Sequence, residues 1–113
     1  MGLIELYKLL VRTGYPVAYY QFETDKNNPP PKPPYIVYWT PNSTSYGADE
    51  SKALIRNTTV HVELYTVKKD LDAEAKLEDI FDSANIQYDK DEAFIDSEKL
   101  YQIVYSFELI QKL

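Results

Sequence analysis

The chain has 113 residues, 44% of them hydrophobic and 14% aromatic, enough for one domain spanning residues 1–113 with a core that needs no staples. With no cysteine, disulfides, thiolate metal sites and cysteine nucleophiles are excluded. A net charge of −6 is the wrong sign for gripping phosphates over a broad face, so tight nucleic-acid binding is not expected. No apolar run approaches the ~20 residues of a membrane span, and the start lacks the basic end and apolar middle of a signal peptide, so no membrane association or processing is expected.

In chain order, Leu3, Leu6, Tyr7, Leu10 and Val11 recur at helical spacing and predict an amphipathic helix over 3–13, ended by Gly14 and Pro16. Residues 17–23 read as a strand with apolar side chains on both faces, which predicts cover on both sides. Residues 24–34 hold five of the seven prolines, so an extended, polyproline-like loop is expected there. A strand follows over 35–40 and is predicted to close at Pro41, with 42–51 a polar loop turning at Gly47.

From 52 to 67 the alternation sharpens, with Val60, Val62 and Leu64 on one face and His61, Glu63 and Tyr65 on the other, giving a long half-exposed strand. Leu77, Ile80, Phe81 and Ala84 then repeat at helical spacing and predict a helix over 71–84, with Asp70 as its N-cap and Asn85 closing its far end. Residues 86–95 carry the charged run Asp89-Lys90-Asp91-Glu92 and read as an edge strand or extended arm whose charges discourage further pairing. A final strand is marked by Tyr101, Ile103, Tyr105, Phe107 and Leu109 after a turn at 96–99. The order α-β-β-β-α-β-β predicts an α+β fold, a mainly antiparallel sheet of about five strands with two helices packed on one face.

Sites for chemistry are scarce. The only histidine, His61, lies beside Glu63 on a strand face and reads as an ordinary exposed pair; two residues do not make a metal or catalytic centre. Asp89, Asp91 and Glu92 open like a calcium loop but lack its turning glycine, and glycines at 2, 14 and 47 alone write no phosphate-binding loop. No cofactor is expected, and an enzyme is the least expected class. Pro30, Pro31, Lys32 and Pro33 match a proline-rich ligand, although a rigid spacer between two strands explains them as well. Eleven tyrosines are the one compositional excess; sheet propensity and wet, sticky surfaces account for them equally, and Tyr46, set in a polar segment, is the better interface candidate.

The stretches Thr13-Gly14-Tyr15-Pro16-Val17-Ala18-Tyr19, Pro34-Tyr35-Ile36-Val37-Tyr38, Val62-Glu63-Leu64-Tyr65-Thr66-Val67-Lys68-Lys69-Asp70 and Glu98-Lys99-Leu100-Tyr101-Gln102-Ile103-Val104-Tyr105-Ser106-Phe107-Glu108-Leu109, in that order, resemble small tail-completion proteins of long-tailed bacteriophages and prophages. The resemblance runs over nearly the whole chain. It implies a tail terminator of the virion, assembled in the host cytoplasm: a ring, of six copies, that caps the tail tube, joins it to the head connector and lets DNA through its lumen. Its partners would be further copies of itself, the tail-tube protein and the head-tail connector protein. The acidic balance suits a conduit that must not hold phosphates. Interface residues are expected in the two loops, at Pro30, Pro31, Lys32, Pro33, Asn42 and Tyr46, and on the half-exposed strand at His61, Glu63 and Tyr65, with the 86–95 edge as a second meeting place. The rival readings are a head-completion or stopper protein of the connector, and a stand-alone adaptor docking through residues 29–34.

Overall fold

The structure, a computed structural model, describes residues 1–47 and 54–112. The chain opens with α1 (Leu3–Leu10), whose first turn is closed by the Glu5 carboxylate accepting from the Gly2 N–H at 2.7 Å. A single 3-10 turn (Val11–Thr13) follows, and Gly14 ends it at φ 86°, the left-handed conformation that glycine adopts without strain. After β1 (Val17–Tyr19) come β2 (Tyr35–Gly47), β3 (Leu54–Thr66), α2 (Leu71–Ser83), β4 (Asp89–Ile95) and β5 (Leu100–Lys112). Asp70 caps α2 by accepting from the Ala73 N–H at 3.0 Å, and Asn85 leaves the helix at φ 57°. Among the described residues no helix is long and apolar enough to cross a membrane.

The five strands form one sheet in the order β1-β2-β3-β5-β4, antiparallel except for the short parallel pairing of β1 with β2. This is the predicted α+β arrangement. Alternation along β3 and β5 sends Val60, Val62, Leu64, Ile103, Tyr105 and Phe107 to the face where Leu6 and Leu10 of α1 meet Leu77 and Phe81 of α2. Phe81 anchors this core, edge-on to Tyr105 and Phe107 with ring centroids 5.3 Å apart in each case.

Two expectations need correcting. The first strand is only three residues long and is not covered on both faces, with Val17 and Ala18 half-buried and Tyr19 48% exposed; Tyr20, at φ 68°, turns the chain away after donating its N–H to the Tyr38 carbonyl at 2.8 Å. Second, β2 does not stop at Pro41. The register skips Thr40 and Pro41 between the pairs Trp39↔His61 and Asn42↔Thr59, a bulge that accommodates the missing proline donor, and pairing then resumes through residues 42–47. Residues 42–47 are therefore strand, whereas positions 48–51 of the expected loop and positions 52 and 53 of the expected third strand lie outside the described residues. The charged run on β4 is exposed along its length, as expected; within it Lys90 and Glu92 take the helix side of the sheet, reaching Glu78 and Lys69, while Asp89 and Asp91 take the opposite face.

That inward turn builds an ionic clamp. Glu74, its side chain only 3% exposed, lies 2.8 Å from Lys69 and 2.7 Å from Lys90; Lys69 also reaches Glu92 at 2.6 Å, and Lys90 reaches Glu78 at 2.6 Å. Burial works against the Lys90 charge, but the hydrogen bonds to Glu74 and Glu78 outweigh it and push its pKa up to about 12. Tyr105 donates to Glu78 at 2.6 Å, and burial followed by that bond drives its phenol well above the usual tyrosine range. The outer strand is thus fastened to helix and sheet by charges aimed inward.

Candidate functional site

Both helices lie on one side, so among the described residues the other face of the sheet carries no layer of secondary structure. Register decides which side chains it presents. Tyr35, Val37 and Trp39 of β2 stand beside Tyr65, Glu63 and His61 of β3, and these beside Gln102, Val104 and Ser106 of β5. The bulge at Thr40 and Pro41 then shifts the frame by one, so that Asn42, Thr44 and Tyr46 continue the same face. The face is aromatic around Tyr35, Tyr65, Trp39 and His61, turns polar at Asn42, Thr59 and Thr44, and ends at Tyr46.

Glu63 organises its centre. One carboxylate oxygen accepts from the Trp39 indole N–H and the other from the Tyr65 hydroxyl, both at 2.8 Å, while Gln102 donates its side-chain amide to the Tyr65 oxygen at 2.8 Å. Burial and the bond to Glu63 raise the Tyr65 phenol above the usual tyrosine range, so it stays a neutral donor. The ring of Tyr65 stacks on Tyr35 at 5.1 Å and 23°, and Trp39 sits edge-on between Tyr20 at 5.9 Å and His61 at 5.4 Å. What this arrangement does chemically is to hold large rings in fixed poses over a half-buried carboxylate whose oxygens are already engaged.

Half-buried Pro31 and exposed Pro30 border a groove of about 240 Å³ with Tyr20, Phe22, Tyr35 and Tyr65. Pro33 and Pro34, both half-buried, sit farther along the body beside Thr66 and Asp70, and Lys32 is exposed. The turn before them is held by Asp25, which accepts from the N–H groups of Asn27 and Asn28 at 2.7 and 2.8 Å; those bonds hold its carboxyl below its ordinary value.

The structure brings His61, Glu63 and Tyr65 together, as their spacing implied, and places Asn42 and Tyr46 on the same face at the far end. Tyr65 is half-buried and bonded, whereas Tyr46 is 49% exposed. The residues missed in the sequence are Trp39 and Gln102, which join through cross-strand register, and Tyr20, which joins from the turn after β1. Leu54 and Ile110, 50% and 61% exposed, were likewise invisible, because each belongs to a strand whose partners decide what covers it. No protein-family model matches the chain, and no characterised protein matches it significantly.

Proposed function

We propose that this protein is a structural, ring-forming component of a bacteriophage tail: a tail-completion protein that caps the tube and joins it to the head connector, with DNA passing through the lumen. The observation that supports this reading most is the arm formed by residues 42–47 of β2, 54–59 of β3 and 108–112 of β5. Among the described residues the buried core takes nothing from 42–47 or 54–59, yet this arm displays Tyr46, Leu54 and Ile110 to solvent. Apolar side chains held out on a rigid, hydrogen-bonded support suit a surface completed by another protein. The longest dimension of the chain, 52 Å against 31 and 25 Å, fits a body with a reaching arm.

The acidic balance supports the same reading, since six copies multiply the charge of −6 sixfold and repel a passing polyanion. The adaptor reading draws less support, because Pro31, Pro33 and Pro34 of the proline-rich segment are half-buried against the body rather than free in a tail. The test is to add labelled protein to purified phage tails whose head-proximal end is bare and to image them by electron microscopy. Label confined to that end is expected; label absent from tails, or scattered along the tube, would contradict the proposal.

A further inference from the structure

The groove of about 240 Å³ lies at the Tyr35 end of the open face, where Tyr20 and Phe22 of the segment after β1 join Tyr35 of β2, Tyr65 of β3, Pro31, and Glu98 of the turn before β5. Its rings make a corner rather than a flat patch. Phe22 stands at 86° to Tyr35 with centroids 5.4 Å apart, while Tyr35 stacks on Tyr65 at 23°. Tyr20 is 63% exposed, which leaves a face of its ring open. The Tyr65 hydroxyl is already bonded to Glu63 and Gln102, so this residue offers the groove its ring. Glu98 supplies the charge. Among the described residues it takes part in no salt bridge, and next to burial its carboxylate is what raises the Tyr35 phenol, which places it close to that ring. Two cations of this chain do lie over aromatic rings, Lys76 over Tyr15 and Lys90 over Tyr105, but among the described residues none lies over the rings of the groove.

Ring faces carry the negative part of an aromatic quadrupole and attract a cation, and a carboxylate beside them adds a full charge of the same sign. A purely apolar ligand gains nothing from Glu98, and an anion is repelled by it and by the net charge of −6. A cation on an apolar stem satisfies both parts of the lining. Sites that enclose a free small molecule run to ~300–1,000 Å³. This groove is smaller and its borders at Tyr20, Pro30 and Glu98 are exposed, so it suits a side chain carried in on another protein. A guanidinium is flat, lies against a ring and forks to a carboxylate at its edge, whereas an ammonium is a compact, strongly hydrated point charge. We infer that this groove is the docking site for an arginine side chain of a partner protein, its guanidinium held against the rings of Tyr20, Phe22 and Tyr35 and paired with Glu98. The site lies at the opposite end of β2 from the arm at residues 42–47, and its failure would leave the ring reading untouched.

The test is an NMR titration of the isotope-labelled full chain with N-acetyl-arginine amide, run beside two controls. The citrulline analogue keeps the length and planarity of the side chain without its charge, and the trimethyl-lysine analogue keeps the charge without the planar fork. Saturable shifts are expected at the amides of Tyr20, Phe22, Tyr35 and Glu98, with citrulline binding about tenfold more weakly. Glu98→Gln should weaken the arginine probe about fivefold. Phe22→Leu keeps an apolar side chain but removes the ring, and should weaken it about two- to fivefold. Neither residue belongs to the buried core, so both variants should keep the native spectrum elsewhere. Equal binding of citrulline would overturn the cation, and tighter binding of trimethyl-lysine would overturn arginine in favour of a quaternary ammonium. An absence of saturable shifts at these residues up to the solubility limit of the probe would overturn the site. Shifts scattered over the acidic surface and unchanged in Glu98→Gln would overturn it as well.

Discussion

Replacing Glu63 with glutamine tests the organisation of the open face with almost no change in shape. In the native chain its two oxygens serve two donors, Trp39 and Tyr65, at 2.8 Å each. A glutamine offers one oxygen, so one donor keeps a neutral acceptor while the other meets an amide N–H. Hydrogen bonds to charged groups contribute ~1.5–3 kcal/mol each, and facing two donors adds a penalty. Both partners are only half-buried, so water replaces part of the loss, and the net cost works out at about 1–2 kcal/mol. Trp39 is the sole tryptophan and sits within the network, so its fluorescence during urea unfolding reports the change directly. With a urea slope of ~1–3 kcal/mol/M the midpoint should fall by about 0.3–2 M. Because Glu63 also helps raise the Tyr65 phenol, the variant should ionise Tyr65 at lower pH in an absorbance titration. The bond stabilises the neutral phenol, a contribution that is complete below about pH 10 and declines above it, so native and variant should converge in strongly alkaline urea titrations. An unchanged midpoint together with an unchanged tyrosine titration would refute the reasoning.

Phe81→Ala removes a fully buried ring that touches Tyr88, Tyr105 and Phe107, and should cost about 3–5 kcal/mol in urea or thermal unfolding. Burial acts to raise the Glu74 carboxyl, but Lys69 and Lys90 more than offset it and hold it below its usual 4.5, so its contribution is present above that pH and lost as pH falls through the lowered value. Glu74→Gln should therefore lower stability at neutral pH and flatten its decline below about pH 4.5, read from acid-unfolding curves. Tyr46→Asp should leave circular dichroism and the urea midpoint of the isolated chain nearly unchanged, since the ring is half out of the protein, while abolishing assembly measured by sedimentation.

The parts of the fold that follow from a short period were legible in the sequence. Val60, Val62 and Leu64 alternate without interruption, and their strand, its buried face and the half-exposed trio His61, Glu63 and Tyr65 emerged as expected. Asp70 announced the second helix by a side chain that can reach only the next turn's N–H groups. What failed depends on partners distant in sequence. A proline removes a donor, and read locally Pro41 stops a strand; the bulge of Thr40 and Pro41 opposite Val60 lets β2 continue and flips which side chains face the open surface. The charges at 89–92 form the exposed edge that was expected, but that Glu74 and Glu78 of α2 lie beneath Lys90 could not be read from the strand alone. The aromatic network around Glu63 draws on β2, β3, β5 and the turn after β1 together, so no single window of sequence contains it.

The proposal that this chain works by laying one protein surface against another around a lumen is tested most directly by measuring the mass and shape of what it forms. Native mass spectrometry and electron microscopy of the purified chain, alone and released from tail ends, should show a closed ring of six 13.2 kDa copies with an open centre. A chain that remains monomeric in both settings, or that assembles into open filaments or compact dimers without a lumen, would contradict it.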